Sequence, residues 1–176
     1  MTNQTPKAPQ TIEALMGQAL LMEREAVARY TELAEMMETH NNLEVAALFR
    51  KMAEIEGRHV TQVLDQMDWA ADSYAPHDEK PAWAALESPE SVPIDEMHYL
   101  MHPWHALQLA LAAEQRAVDF FAAIVRDAPN ETIRRAAQEM HAEEVEHVGL
   151  IQVWLQKVPK PGPEWAVDPD PPRFVD

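Results

Sequence analysis

The chain has no cysteine, few glycines and few basic residues. Its 176 residues include four Gly, and 14 Lys and Arg stand against 30 Asp and Glu, which gives a formal net charge of −16. Without Cys, the chain cannot form a disulfide, a thiolate nucleophile, an iron–sulfur cluster or a Cys-type zinc site. The acidic excess argues against nucleic acid as a partner, because a phosphate-binding surface needs clustered Lys and Arg.

Long apolar runs are also missing. No stretch reaches the roughly 18 apolar residues of a membrane-spanning helix, and residues 1–9 lack the apolar segment of a secretory signal. We therefore expect a soluble, cytoplasmic protein with no membrane partner. Ala, Leu, Met and Glu are abundant and favour helix, and the prolines avoid every predicted helix interior.

Hydrophobic periodicity predicts an all-α fold of four helices. Short turns at 40–42 and 128–130 join the helices in pairs, so the chain reads as two related helical hairpins. The segment 68–102 is long enough to cross the bundle, and its aromatic residues Trp69, Tyr74 and Trp83 are expected to hold it against the helices. We predict a four-helix bundle over 10–156, with this long crossover connection.

A Pro-rich arm follows the bundle. Residues 157–176 hold six prolines together with Trp165 and Phe174, a composition typical of an extended segment. The arm could pack on its own subunit, exchange with another subunit or dock a partner, and the first two are favoured over the third.

One Glu-x-x-His motif occurs twice, at Glu56/His59 and at Glu144/His147. Each copy follows a single Glu in an otherwise apolar helical stripe: Glu23 precedes Glu56 by 33 residues, and Glu114 precedes Glu144 by 30. Residues three apart on a helix share one face, so each motif can direct a carboxylate and an imidazole to the same point.

Four acids in apolar stripes need a physical reason. A buried carboxylate is costly unless it is paired, protonated or bound to a metal ion. A single Glu in such a stripe could lie at a helix edge. Four Glu at equivalent levels, two of them followed by a His one helical turn later, indicate a shared site. The pattern matches the two-metal carboxylate site that ferritin-like bundles build from four Glu and two His.

The same residues carry a family resemblance. Glu23-Arg24-Glu25-Ala26-Val27-Ala28-Arg29-Tyr30 resembles the first-helix segment of rubrerythrins, and Glu54-Ile55-Glu56-Gly57-Arg58-His59 resembles their second-helix motif. Across roughly 12–67 and 103–156, the chain is similar to rubrerythrin-type and bacterioferritin-type di-iron proteins of the ferritin-like superfamily.

The resemblance implies metal ligands and their roles. Glu56 and Glu144 would bridge two metal ions, Glu23 and Glu114 would be terminal carboxylates, and His59 and His147 would give one nitrogen to each ion. Ala117 departs from the rubrerythrin pattern, which has a further Glu there, so the remaining set is closer to a bacterioferritin-type ferroxidase centre. Gly57 lies where bacterioferritins place a haem-ligating Met, and no haem is expected.

The predicted function is that of a non-haem di-iron protein, with two iron ions per chain or manganese in their place. It would oxidise Fe(II) and reduce O2 or H2O2 as a ferroxidase or peroxidase. Because the chain lacks the Cys pairs of a rubredoxin-like domain, electrons would come from a separate donor; the resemblance suggests a homodimer. The alternatives are an iron-storage protein without turnover and a bundle with a purely structural metal site.

Other side chains are candidates for supporting roles. Tyr30, seven residues after Glu23, is a candidate second-sphere or redox residue, with packing as the alternative. His98, His102 and His105 have spacing that suits a helix entry or a second metal site, although no matching carboxylates accompany them.

Overall fold

The computed structural model describes residues 8–72, 83 and 87–170. Four long helices and one short 3-10 helix make up its regular structure, with no strand among the described residues. The helices are α1 (Ile12–Thr39), α2 (Leu43–Met67), α3 (Pro103–Asp127) and α4 (Glu131–Leu155), and the 3-10 turn is Ile94–Glu96. The predicted all-α four-helix bundle is confirmed, and each predicted helix boundary lies within about two residues of the observed one.

Local chemistry explains where the helices begin. The side chains of Thr11, Asn42 and Asn130 each accept a hydrogen bond from a backbone N–H in the first turn of the following helix. Pro103 occupies the first position of α3, where a missing N–H costs nothing. Between α1 and α2, Asn41 has a φ of 56°, a left-handed conformation that Asn tolerates better than most residues.

The helices pair as hairpins, and the crossover runs the length of the bundle. Helix α1 packs along α2 and α3 along α4, while α1–α4 and α2–α3 contacts join the two hairpins. Asn42, at the start of α2, donates to the carbonyls of Tyr99 and Met101 just before α3. Since α3 therefore begins beside the start of α2, the two helices run parallel, and the chain must return about 37 Å from the end of α2.

Aromatic residues help to hold the crossover, as the sequence predicts. Trp69 and Trp83 pack in the apolar cluster at one end of the bundle, and the Trp83 ring meets that of Phe120 edge to face at 6.0 Å. Tyr74, the third aromatic residue of that prediction, lies outside the described residues.

The described part of the arm packs against the bundle. Val158 and Trp165 pack against one apolar cluster, and the Trp165 ring lies 3.9 Å from that of His105. The Tyr99 hydroxyl donates to Asp168 over 2.6 Å. Residues 171–176, including Phe174, lie outside the described part. Within that part, none of the helices combines the length and apolarity needed to cross a membrane.

The core consists of two apolar clusters, one toward each end of the bundle. Helix α1 contributes Leu15 to Met22 to one cluster and Ala26 to Met37 to the other, and the other helices divide in the same way. The four acids predicted from the sequence lie at the change from one cluster to the other. The bundle thus has a polar layer at mid-length, closed by apolar packing above and below.

Candidate metal centre

The polar layer holds the four predicted acids, all buried. Their exposed fractions are 5% for Glu23, 3% for Glu56 and 2% each for Glu114 and Glu144. One acid comes from each helix, so the layer draws on all four helices. Backbone hydrogen bonds within the helices and apolar packing on both sides fix the positions from which these carboxylates extend.

In the first hairpin, Glu23, Glu56 and His59 form one group. The His59 Nδ1 atom lies 2.9 Å from Glu56 Oε2 and 3.6 Å from Glu23 Oε2. Glu56 and His59 are one helical turn apart on α2, and Glu23 reaches them from α1. This is the local grouping that the Glu-x-x-His spacing predicts.

The second hairpin repeats the arrangement with Glu114, Glu144 and His147. The His147 Nδ1 atom lies 3.4 Å from Glu114 Oε2 and 3.4 Å from Glu144 Oε2. These N···O distances are in the range of ion pairs. Neither contact is a hydrogen bond, since His147 Nδ1 has no hydrogen-bond partner among the described residues. Each hairpin therefore supplies two carboxylates and one imidazole.

The two groups meet at the centre of the bundle. The rings of His59 and His147 stack with centroids 4.3 Å apart and planes inclined by 15°. Potential ligand atoms of Glu56, His59 and His147 lie within 4.8 Å of one another, as do those of Glu114, Glu144 and His147. The fold thus brings all six predicted side chains into one site.

The donor atoms fit a metal centre. Glu23 Oε2, Glu114 Oε2 and Glu144 Oε2 are buried and have no hydrogen-bond partner among the described residues. Buried polar atoms are normally hydrogen-bonded, so carboxylate oxygens that lack hydrogen bonds and lie beside imidazole nitrogens suit a bound cation. Hard carboxylate oxygens with imidazole suit iron or manganese.

Protons compete for the same atoms when no metal is bound. Burial opposes charge on the His59 ring, but the carboxylates of Glu23 and Glu56 outweigh burial and raise its pKa to about 10. Burial likewise opposes charge on His147, and Glu114 and Glu144 raise its pKa to about 11. Burial, with the charges of Glu56 and Glu144, raises the pKa of Glu23 to about 8. Metal binding must therefore displace protons from this site.

Tyr30 lies beside the site, as its position after Glu23 predicts. Its ring is buried and stacks on Phe49 with centroids 6.0 Å apart, and its hydroxyl has no hydrogen-bond partner among the described residues. Burial, followed by the charges of Glu114 and Glu56, raises its pKa well above the usual value. The hydroxyl therefore keeps its proton at neutral pH.

A buried acid absent from the sequence prediction also reaches the site. Glu90, from the crossover, is 1% exposed, and potential ligand oxygens of Glu23, Glu56 and Glu90 lie within 4.8 Å of one another. Burial and the neighbouring carboxylates raise its pKa well above the usual value. Glu90 lies in irregular chain with no periodic pattern, and no signal in the sequence distinguishes it from the many surface acids.

His98, His102 and His105 serve the entry to α3. The backbone N–H of Leu100 donates to His98 Nδ1, and that of His102 donates to His105 Nδ1, each over 3.1 Å. These three residues do not appear in any group of potential metal ligands among the described residues. The helix-entry role is the one that their contacts support.

A small apolar cavity between α2 and α4 opens onto the centre. Its volume is about 20 Å³, about enough for one water-sized molecule. Glu114 and His147 of the second hairpin and Glu56 of the first form its inner wall, and apolar side chains form the rest. Its lining residues are Met52, Ile55, Glu56, Glu114, His147, Leu150, Ile151 and Trp154.

Comparison with known proteins identifies a family model and a similar solved structure. A family model described as Rubrerythrin matches residues 14–99. The crystal structure of an uncharacterised conserved protein from Magnetospirillum magnetotacticum MS-1 is 32% identical, with a TM-score of 0.62, over 86% of this chain and 98% of that chain. Among curated proteins, none matches the chain.

Proposed function

The chain belongs to the rubrerythrin family of the ferritin-like superfamily, and on that basis we propose that it is a non-haem di-iron protein that oxidises Fe(II) and reduces O2 or H2O2. The observation that carries this proposal is that each hairpin places one His beside two Glu, and that the two His rings stack with centroids 4.3 Å apart. A two-metal centre requires this duplication, whereas a single structural ion does not.

Six side chains would hold the metal ions. Glu23, Glu56 and His59 face one position, and Glu114, Glu144 and His147 face the other. We propose iron for both positions, with manganese as the alternative that the same donors accept. When bound, iron would supply the change between Fe(II) and Fe(III) that the reduction of O2 or H2O2 requires.

The protein contributes a closed, preorganised environment. Apolar clusters cover the acid layer on both sides, which excludes bulk water and strengthens electrostatic interactions inside. The small cavity beside Glu56, Glu114 and His147 has room for a molecule about the size of O2 or H2O2. This supports a small oxidant as the substrate.

Tyr30 would support the centre as a neutral hydrogen-bond donor. Its hydroxyl is buried, has no hydrogen-bond partner among the described residues, and lies close enough to the Glu114 and Glu56 charges for them to raise its pKa. We propose that it acts from the second sphere rather than as a metal ligand. Since the chain has no Cys for a rubredoxin-type site, we also propose a separate electron donor.

Metal content and Fe(II) oxidation test this function together. Protein purified without added metal is analysed for iron and manganese, then loaded anaerobically with Fe(II) and exposed to O2 or H2O2. The proposal predicts about two iron ions per chain and rapid loss of Fe(II), measured with a ferrous chelator.

The variants Glu56→Ala and Glu144→Ala should lose both bound iron and oxidation. Glu54→Ala and Glu146→Ala make the same change at exposed positions two residues away and should keep both. Tight binding of two ions without Fe(II) oxidation would contradict the oxidase function and leave a structural site. Iron far in excess of two per chain, in a large assembly, would indicate storage instead.

A further inference from the structure

The crossover turn at residues 87–92 is held in place by both hairpins. On the α1 side, Glu25 Oε2 accepts a hydrogen bond from the backbone N–H of Ser88 over 3.1 Å, and Arg29 pairs with Glu87. The turn closes on itself through a hydrogen bond from Ser91 N–H to the Ser88 carbonyl. Residues before Glu90 are thus fixed relative to α1.

Arg116 holds the turn from the α3 side. Its Nε atom donates to the carbonyl of Pro89 over 2.8 Å, and its Nη2 atom donates to the carbonyl of Ser91 over 2.9 Å. One guanidinium therefore grips the backbone immediately before and immediately after Glu90. A rigid planar donor with two fixed contacts sets the direction of the residue between them.

The residue that this turn directs inward is an acid. Glu90 is 1% exposed, and neither of its carboxylate oxygens has a hydrogen-bond partner among the described residues. One of its carboxylate oxygens lies within 4.8 Å of potential ligand oxygens of Glu23 and Glu56. Three buried carboxylates this close repel one another when ionised, and either protons or a cation among them must relieve that repulsion.

The turn at residues 88–92 does not depend on Glu90 to pack against the bundle. Val92 is fully buried, and Ser88 and Ser91 are nearly so, which already anchors the turn in the bundle. A purely structural position would accept an apolar residue at lower cost than an unpaired carboxylate. The inward direction of Glu90, and its lack of hydrogen bonds among the described residues, therefore indicate that Glu90 is itself a metal ligand.

We infer that Glu90 is a seventh metal ligand, delivered from the crossover to the metal position that Glu23 and Glu56 line. This inference rests on the proposed metal centre and extends it. It makes the two positions unequal, because Glu23, Glu56 and Glu90 surround one of them, whereas the Glu114, Glu144 and His147 group includes no added acid among the described residues. The position with three carboxylates should bind a hard divalent cation more tightly.

Anaerobic titration with Co(II) tests this assignment without relying on enzyme activity. Cobalt replaces iron as the probe, and its visible absorption changes with coordination number and ligand set. Wild-type protein, stripped of metal with a chelator, should bind two Co(II) per chain. Glu90→Gln keeps the size of the side chain but removes a ligand oxygen's charge. It should weaken one of the two sites by about 10- to 100-fold and change that site's absorption.

Glu96→Gln is the matched control, since it makes the same change at an exposed position of the crossover. It should bind both ions as the wild type does. The inference is overturned if Glu90→Gln binds two Co(II) with wild-type affinity and an unchanged spectrum. Circular dichroism of the metal-free proteins checks that the helices are intact. Should Glu90→Gln not fold, Glu90→Asp decides, because a shortened ligand must alter the affinity or the spectrum of one site.

The same titration separates the two levels of the argument. If wild-type protein binds no Co(II), the metal centre itself is wrong. If wild type and Glu90→Gln both bind two ions alike, the centre stands and only the role of Glu90 fails.

Discussion

Replacing Tyr30 with Phe should stabilise the metal-free protein. The Tyr30 hydroxyl is buried without a hydrogen-bond partner among the described residues, while its ring packs on Phe49. Burying an unpaired hydroxyl costs about 1–3 kcal/mol in protein mutational data. Tyr30→Phe keeps the ring and removes the cost, so the free energy of unfolding should rise by about 1 kcal/mol. The equivalent position of the second hairpin already holds a Phe, the fully buried Phe121.

Thermal and urea denaturation of the chelator-treated protein measure this change. For a chain of this size, about 1 kcal/mol corresponds to a rise of about 2–4 °C in Tm. Tyr99→Phe is the contrasting control, because the Tyr99 hydroxyl donates to Asp168 at the surface over 2.6 Å. That variant should gain no stability and should loosen the arm, which hydrogen exchange near residues 164–168 would detect.

A loss of 1 kcal/mol or more in Tyr30→Phe would refute the reasoning, since the hydroxyl would then have a stabilising partner. Fe(II) oxidation in the same variant addresses the proposed second-sphere role. If Tyr30 supports the loaded centre, oxidation should slow although the metal-free protein is more stable. A pure packing role predicts an unchanged rate.

Three further predictions concern metal and protons. Arg116→Gln should weaken Co(II) binding at one metal position, though less than Glu90→Gln does, because it removes the hydrogen bonds from Arg116 to the carbonyls of Pro89 and Ser91. Equal Co(II) affinity in this variant and the wild type would contradict this prediction. In the metal-free fold, the pKa of His59 is raised from 6.5 to about 10 and that of His147 to about 11. The protonated rings therefore contribute their full stabilisation below pH 6.5, and this contribution is lost as the pH rises through about 10 and 11. The raised pKa of Glu23 acts in the same direction between pH 4.5 and about 8, so urea stability of the metal-free protein should fall with rising pH, and a rise would contradict the assignment. With both sites filled and the free metal at about 100 times each Kd, the free energy of unfolding should rise by about 5 kcal/mol and Tm by about 10–20 °C. Calorimetry that shows no shift in Tm would exclude metal binding to the folded centre.

The bundle and six of the site residues follow from the sequence because both depend on helical periodicity. A helix repeats its faces every three to four residues, so Glu23 and Glu114 stand out as acids in apolar stripes. The Glu-x-x-His spacing places Glu56 beside His59 without any knowledge of tertiary structure. Short turns force the helices of each pair together, which accounts for both groups.

Glu90 could not be found in this way. It lies in irregular chain, and its direction depends on Arg116, whose contacts with the turn join residues 25 and 27 positions apart in sequence. The same holds for the arm, where Tyr99 and Asp168 are 69 positions apart. Such contacts depend on the packed fold and leave no local pattern. The sequence predicts aromatic anchors for the crossover, while the structure adds the charged contacts of Glu25, Arg29 and Arg116.

The most direct test of the metal centre is the number of metal ions per folded chain in wild type and in Glu144→Ala. Elemental analysis of protein loaded anaerobically with Fe(II) and freed of excess metal gives this number. The account predicts about two ions per wild-type chain and loss of bound iron in Glu144→Ala, with Glu146→Ala unchanged. No bound transition metal in the wild type, or two ions retained in Glu144→Ala, would contradict it.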